Sequence, residues 1–371
     1  MTAARTLVLH PGLTQVQRDC LDALPLTGNH VVSGPPGSGK SLLAAHRAVH
    51  LALTGRPTVL LSRSNLLRQL LRDMLKGLAV PGAPVEASTI HAWIQKHFGD
   101  GIPRSQDGWF DWTALTGQAA GMRGTHDATT PHLVVDEGQD VSPEFYRLVR
   151  LAAESVSVFA DECQRLTDTN STLTEISDAL GRSTGRADLS GNHRNTREIA
   201  SLAEHFRTGG AIPRMPVRSG TLPLIRHYSS ARDLADDIVI KAVRLPDERL
   251  GVIVNSMATG GDLMRRLERA GLAHEPQLYS SEASAGRYRD LDLARPGVVV
   301  VHRASVKGLE FDTVVIADAE SDSAIDPTSA TLRMAYYAMI TRARQRLVVG
   351  WQGNRLPRHL EGLNGWAQMR S

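Results

Sequence analysis

The octet Gly34-Pro35-Pro36-Gly37-Ser38-Gly39-Lys40-Ser41 constrains this chain more than any other stretch. It fits the pattern G-x-x-x-x-G-K-[ST], and its flanks agree. Val31-Val32 reads as the end of a buried strand, and Leu42 to Ala52 as a helix. Glycines in such a loop permit backbone angles that aim successive N–H groups at a triphosphate. Gly34, Pro35, Pro36, Gly37, Ser38 and Gly39 are therefore expected to wrap phosphates. Lys40 should reach the β- and γ-phosphates, and Ser41 should ligate Mg²⁺. The N-terminus of the following helix adds partial positive charge. A nucleoside triphosphate is the expected ligand.

Composition sets looser bounds. A chain of 371 residues suggests two domains, and 42% hydrophobic with 22% charged residues is ordinary for a soluble protein. No uninterrupted apolar run would span a bilayer, and Met1 to Leu9 lacks the apolar centre of a signal peptide. The default expectation is a cytoplasmic protein with no membrane partner. Cys20 and Cys163 cannot build a disulfide framework, and His46 and His50, four apart, have no third ligand in view. A net charge of +3 permits an anionic partner without requiring one.

A phosphate loop needs a carboxylate partner, and His132-Leu133-Val134-Val135-Asp136-Glu137 supplies one. A short apolar strand delivers two carboxylates to a sheet edge. Asp136 suits Mg²⁺, and Glu137 suits the water that attacks the γ-phosphate. Val156 to Ala160 reads as a further strand, after which Gln164 could touch the γ-phosphate. Gln17, upstream of the loop, carries an amide that both donates and accepts, as reading an adenine edge requires. Pro57 to Leu61 reads as a strand running into Ser62-Arg63-Ser64-Asn65, and Thr89-Ile90-His91 as a second such edge. Open α/β sheets present ligands at the C-terminal ends of their strands.

These motifs resemble, in order and spacing, those of superfamily 1 helicases of the UvrD/Rep type, across nearly the whole chain. Asp136-Glu137-Gly138-Gln139-Asp140 resembles the family's DExQD box, and Gln17 its adenine-reading glutamine. Asn192-His193-Arg194 resembles its NYR motif, with His193 in place of the aromatic that stacks on the base. Lys307-Gly308-Leu309-Glu310-Phe311-Asp312 resembles KGLEFD, and Thr341-Arg342-Ala343 the TRA motif. The resemblance implies an α/β fold of two tandem RecA-like P-loop NTPase domains with parallel sheets, split here as 1–188 and 189–371. ATP and Mg²⁺ would lie between them. Arg194 and Arg342 would meet the γ-phosphate, and Glu310 the ribose. Ser62, Arg63, Asn65, Thr89, His91, His302 and Lys307 would contact single-stranded nucleic acid, with DNA ahead of RNA.

Other segments carry expectations of structure alone. Thr167 to Ala187, rich in Ser, Thr, Gly and Asp, reads as a loop or domain junction, and Gly209 to Pro223 as a connector. Leu250 to Val254 and Val298 to Val301 read as strands, Leu263 to Ala270 as a helix, and Leu332 to Arg344 as one continuous apolar helix. Trp109 and Trp112 fall in a short Gly-rich insertion and are expected to pack a small loop.

Two departures from the family matter. Trp93 to His132 is too short for the domain its familiar members insert there. Arg63 also stands where a stacking aromatic is usual, which should weaken the grip on bases. Two readings follow. One is a compact ATP-driven translocase on single-stranded DNA, moving 3′→5′ as the resemblance implies. The other is an ATP-gated nucleic-acid-binding subunit that recruits a protein partner such as a nuclease.

Overall fold

The apolar runs within His132–Val135 and Gly297–His302 are what strands buried on both faces require, and each is an interior strand of one of two sheets. The computed structural model describes residues 12–78, 81, 83–99, 101–105, 109–121, 129–161, 171–209, 213–281 and 290–370. Gln164 and Cys163 lie outside the described residues.

The first sheet holds β1 (His30–Ser33), β2 (Thr58–Ser62), β3 (Val85–Thr89), β4 (His132–Val135), β5 (Ser155–Ala160) and β6 (Gly185–Asp188), in the order β3-β2-β4-β5-β1-β6. The second holds β7 (Leu224–His227), β8 (Arg249–Val254), β9 (Gln277–Tyr279), β10 (Gly297–His302), β11 (Phe311–Ile316), β12 (Ala343–Trp351) and β13 (Gln368–Arg370), in the order β13-β7-β12-β11-β8-β10-β9. Every pairing between these strands is parallel. This is the α/β architecture of two RecA-like parallel sheets.

Helices cover both faces of each sheet. They are α1 (Gln15–Asp22), α2 (Lys40–Ala52), α3 (Asn65–Gly77), α4 (Ile90–Phe98), α5 (Trp112–Gly121), α6 (Pro143–Ala152), α7 (Leu173–Leu180), α8 (Arg197–Phe206), α9 (Ala231–Arg244), α10 (Met257–Arg269) and α11 (Ala330–Ile340). The strand period of two decides which side chain meets which layer. Val32, Leu60 and Val134 pack with Leu43 and Ala48 of α2 and Leu67 and Leu71 of α3. Their neighbours Val31, Leu61 and Leu133 pack instead with Ile94, Leu115, Phe145 and Ile176 of α4 to α7. In the second sheet Val252, Val298 and Val300 face α9 and α10, while Ile253, Val299 and Val301 face α8 and α11. Leu66 of α3 breaks the symmetry: it is buried in the second sheet's core beside Leu309.

Three segments differ from the sequence reading. Residues 171–187 are not plain loop. Thr172 caps α7 through a reciprocal box with Glu175, and β6 then adds an edge strand to the first sheet. The apolar helix stops at Ile340, so Arg342 sits in a turn and Arg344 in β12. Phe311 N–H donates to the Arg342 carbonyl at 3.0 Å, which draws that turn toward the sheet. Finally, α10 starts at Met257, because Ser256 caps it ahead of the apolar stripe.

Candidate nucleotide site between the two sheets

Parallel strands send their following loops to one edge, and in the first sheet that edge gathers the chemistry. The loop after β1 needs glycine at Gly37 and Gly39, whose φ values are 76° and 87°. Space requires it too. A Cβ on Gly39 would overlap the Gln17 amide, one on Gly37 the Asn192 side chain, and one on Gly34 would lie 2.9 Å from the Leu189 Cβ. The loop is thus gripped by α1 on one side and by residues 189–194 on the other. Lys40 Nζ donates to the Gly34 and Pro35 carbonyls at 2.7 and 3.0 Å and lies 3.6 Å from the Asp161 carboxylate at the end of β5.

The Gln17 amide is placed by its own helix. Its Oε1 accepts the Thr14 N–H at 2.8 Å, closing the capping box of α1, and its Nε2 donates to the Ser38 carbonyl at 2.7 Å. One donor and one acceptor site on that amide remain for a ligand.

At the end of β4, Asp136 and Glu137 diverge. Asp136 is 1% exposed, and neither of its carboxylate oxygens makes a hydrogen bond of normal geometry. Burial and the adjacent Glu137 charge raise its pKa to about 7, against the opposing pull of the Ser41 hydroxyl and the Lys40 charge. A buried carboxylate so poorly satisfied, set beside a hydroxyl at the foot of a phosphate loop, is a hard-oxygen donor set suited to Mg²⁺. Ser41 and Asp136 fit that ion.

Glu137 is the one non-glycine residue with positive φ among the described residues, at 54°. That cost, of order 1–3 kcal/mol, marks a position over-determined by its surroundings. Although burial pushes Glu137 up, the charges of Lys40 and Lys307 and the Gln139 amide hold it below the usual carboxylate range. Gln139 Nε2 donates to Glu137 Oε2 at 2.5 Å, and Gln139 Oε1 accepts the Asp161 N–H at 2.9 Å. A deprotonated carboxylate so held can orient a water.

The second half contributes its arginines to the same space. Arg194 donates to Glu310 Oε1 at 2.5 Å and to the Thr341 carbonyl at 3.4 Å. Arg342 is 1% exposed; its Nε donates to the Ala338 carbonyl at 2.9 Å and one Nη to Thr341 Oγ1 at 3.2 Å. Burial and the nearby Arg194 charge lower its pKa to about 10, so it stays cationic at neutral pH.

A cavity of about 400 Å³ collects these groups: Gln17, Pro36, Gly37, Gly39, Lys40, Ser41 and Glu137 from the first half, with His193, Arg194, Glu310 and Arg342 from the second. Arg249 and Arg344 also line it, so cations outnumber the two carboxylates and a polyanion is favoured there. Leu42, Leu70, Met74 and Leu293 supply an apolar wall. His193 is fixed by its N–H on the Gly37 carbonyl at 2.9 Å.

The residues read as strand contacts lie elsewhere, along the sheet edges, and most are engaged within the protein. Ser62 is buried, with its hydroxyl on the Ser64 carbonyl. Asn65 Oδ1 accepts from Arg68 at 2.7 Å, and Thr89 Oγ1 caps α4. His91 stacks on Trp109 at 4.5 Å. Arg63, the exposed member, holds its guanidinium 5.7 Å from the Trp109 ring centroid. Burial holds the His91 pKa down, helped by Arg104 and Arg63. His302 Nε2 pairs with the Asn255 carbonyl at 2.9 Å. Lys307 Nζ lies 2.5 Å from Asp140 Oδ1, with both side chains under a tenth exposed.

Sequence reasoning passes over Asp161, Asn192 and the separate roles of Gln139 and Asp140. The rule that finds Asp136 also finds Asp161, since it too follows a short apolar strand. Nothing in the sequence marks Asn192 as the residue that crowds Gly37.

A family model described as an AAA domain matches residues 17–168, the span from Gln17 past the Asp136-Glu137 turn. No curated protein matches the chain. Among solved structures, the C-terminal domain of a possible DNA helicase from Lactobacillus plantarum WCFS1 is similar at 21% identity and a TM-score of 0.37, over 48% of this chain and 99% of that one. Arterivirus nonstructural protein 10, a helicase, is similar at 13% identity and a TM-score of 0.44 over 95% of this chain. The match spans 63% of the arterivirus chain. Neither likeness is close enough to carry residue roles across.

Proposed function

We propose that this chain is an ATP-dependent motor of the superfamily 1, UvrD/Rep-like kind, hydrolysing ATP with Mg²⁺ and moving 3′→5′ on single-stranded nucleic acid, DNA ahead of RNA. One observation carries the reading. The phosphate loop and Glu137 from the first sheet line the same cavity as Arg194 and Arg342 from the second half. A hydrolytic site split between two halves makes hydrolysis depend on their approach, which is what a cyclic motor needs.

In this reading the first domain ends at Asp188 and the second begins at Leu189. Lys40 and the loop N–H groups hold the β- and γ-phosphates, and Ser41 and Asp136 hold Mg²⁺, which offsets phosphate charge when bound. Glu137, kept ionised by Lys40 and Lys307, orients the attacking water and takes its proton. Arg194 and Arg342 stabilise charge on the transferring phosphoryl group. Gln17 and His193 hold the base. Gln164, outside the described residues, would complete the set at the γ-phosphate.

The test is phosphate release with and without single-stranded DNA and RNA, followed by movement on strands of defined polarity. Strong stimulation by single strand with 3′→5′ movement is expected, and no stimulation by either polymer would defeat the reading. A second reading is an ATP-gated subunit serving a nuclease or similar partner. It is favoured by the engagement of Ser62, Asn65, His302 and Lys307 within the protein, which leaves few groups to grip a strand.

A further inference from the structure

We infer that Lys307 is a positioning residue for hydrolysis rather than a strand contact, acting through Asp140 on the turn that carries Glu137. The inference rests on the hydrolytic reading above. Lys307 and Asp140 lie 2.5 Å apart, both side chains are nearly enclosed, and the two residues come from opposite halves of the chain. An ion pair so desolvated is short and directional, and removing either member takes from the other its closest counter-charge.

Each end of this pair is rigid. Asp140 closes the turn that begins at Glu137: its N–H donates to the Glu137 carbonyl at 3.0 Å. Gly138 between them leaves no slack, since Tyr146 donates to its carbonyl at 2.5 Å and a Cβ there would overlap Val158. Gln139 ties the same turn to Glu137 and to the N–H of Asp161, the carboxylate facing Lys40. A displacement of Asp140 is therefore a displacement of Glu137.

On the other side, Lys307 sits between two buried anchors, Val306 and Leu309. Gly308, at φ 75°, approaches α3 so closely that a Cβ would lie 2.6 Å from Leu67 Cδ1. Glu310, one residue past Leu309, holds Arg194 at 2.5 Å. One short strap thus fixes the water-orienting turn of the first half through Lys307, and the cleft arginine of the second through Glu310. Approach of the halves and alignment of Glu137 with Arg194 become a single event.

The experiment compares Lys307→Met, Asp140→Asn and the double variant with the unaltered protein, measuring kcat and KM for ATP without nucleic acid, and single-strand affinity across a salt series. A misplacement of about 1 Å at a reacting centre costs about 10²-fold in rate. The single variants should lose kcat on that scale with KM and strand affinity unchanged. The double variant leaves no buried charge unpaired, so it should fold well and still turn over slowly, no worse than the poorer single. Basal kcat unchanged in Lys307→Met, with weaker strand binding and a salt slope shallower by about 1, would overturn the inference in favour of a direct phosphate contact. Full recovery of kcat in the double variant would reduce the pair to fold stability and also overturn it. Absence of ATP turnover in the unaltered protein defeats the functional reading first, and the positioning role with it.

Discussion

Glu310 binds the Arg194 guanidinium at 2.5 Å, and this pair determines how the second half presents its cations to the cleft. Asn195, the next residue, donates to the carbonyls of Thr341 and Ala343 at 3.1 and 2.5 Å, on either side of Arg342. Arg194 and Arg342 are therefore mounted on one piece of structure and would reach a bound phosphate together.

Replacing either arginine should then cost turnover and not affinity. Arginines of this kind supply ~10³–10⁵ in rate. Arg194→Ala and Arg342→Ala should each lose at least the lower of these, and the double variant should lose little more. Phosphate release and equilibrium binding of an ATP analogue check it. A loss confined to affinity would place both arginines outside the transition state.

Glu137 and Lys40 should separate chemistry from binding. Glu137→Gln keeps the shape and the Gln139 contact but cannot take a proton, so turnover should fall ~10²–10⁴-fold with ATP still bound. Lys40→Ala removes the cation nearest the loop carbonyls and should weaken ATP binding as well. Normal turnover in Glu137→Gln would mean another group orients the water.

Much of this architecture is legible in the sequence, for a physical reason. Strands buried on both faces are mostly apolar, so β1, β4, β5, β8 and β10 stand out, and chain direction puts the phosphate loop and Asp136 after their C-terminal ends. The segment from 171 to 187 does not stand out because polar composition conceals a capped helix, although Thr172 and Glu175 already spell the cap. Arg342 reads as helical because it follows an apolar helical run; the turn is held by Phe311 on its carbonyl and by Asn195 on those of Thr341 and Ala343. The Lys307–Asp140 pair spans 167 residues and has no local signature at all. Periodicity reports which layer a residue faces, and it is silent on which charges meet across a cleft.

Asp136 offers a test by metal. Two buried carboxylate oxygens so poorly satisfied cost stability until a cation shares them. Mg²⁺ with nucleotide should raise the midpoint of thermal unfolding, and chelation should reverse the gain. Asp136→Asn should unfold at a temperature no lower than the unaltered protein in the absence of metal, lose the Mg²⁺-dependent gain, and lose hydrolysis. An unchanged response to Mg²⁺ would show that the ion is held elsewhere.

Stability should also depend on pH through His359, which is remote from the cleft. Burial lowers its pKa from 6.5 to about 4, with Asp322 opposing the shift, and its Nε2 pairs with Tyr336 Oη at 2.8 Å. Between these values the unfolded chain binds a proton that the folded chain refuses, so stability falls as pH drops from about 6.5 toward 4 and is fully present above 6.5. From pH 7 to pH 5 this group should remove about 2 kcal/mol. Urea unfolding at the two pH values, on the unaltered protein and on His359→Gln, isolates it. An equal pH dependence in both proteins would assign the effect to other groups.

The proposed motor role limits what the chain should achieve alone. A translocation cycle needs two halves that close on nucleotide and alternate their hold on a strand. Separating a duplex needs a wedge and a second grip as well. The described part of the 99–131 insertion goes into packing: Phe110 and Leu115 are buried in the first sheet's core, and Trp109 and Trp112 lean on it. Arg63 is the exposed member of the expected strand contacts, and it rests near Trp109. With base stacking worth ~1–3 kcal/mol per base where it occurs, a strand held mainly through phosphates should leave quickly at physiological salt. The isolated protein should therefore show single-strand-stimulated ATPase and displace a weak protein block, yet unwind a duplex with a 3′ tail poorly. Arg63→Ala should weaken single-strand binding further and lower the salt slope. Processive unwinding by the protein alone at moderate salt would show that the edges of the two sheets grip a strand far better than their internal hydrogen bonds suggest.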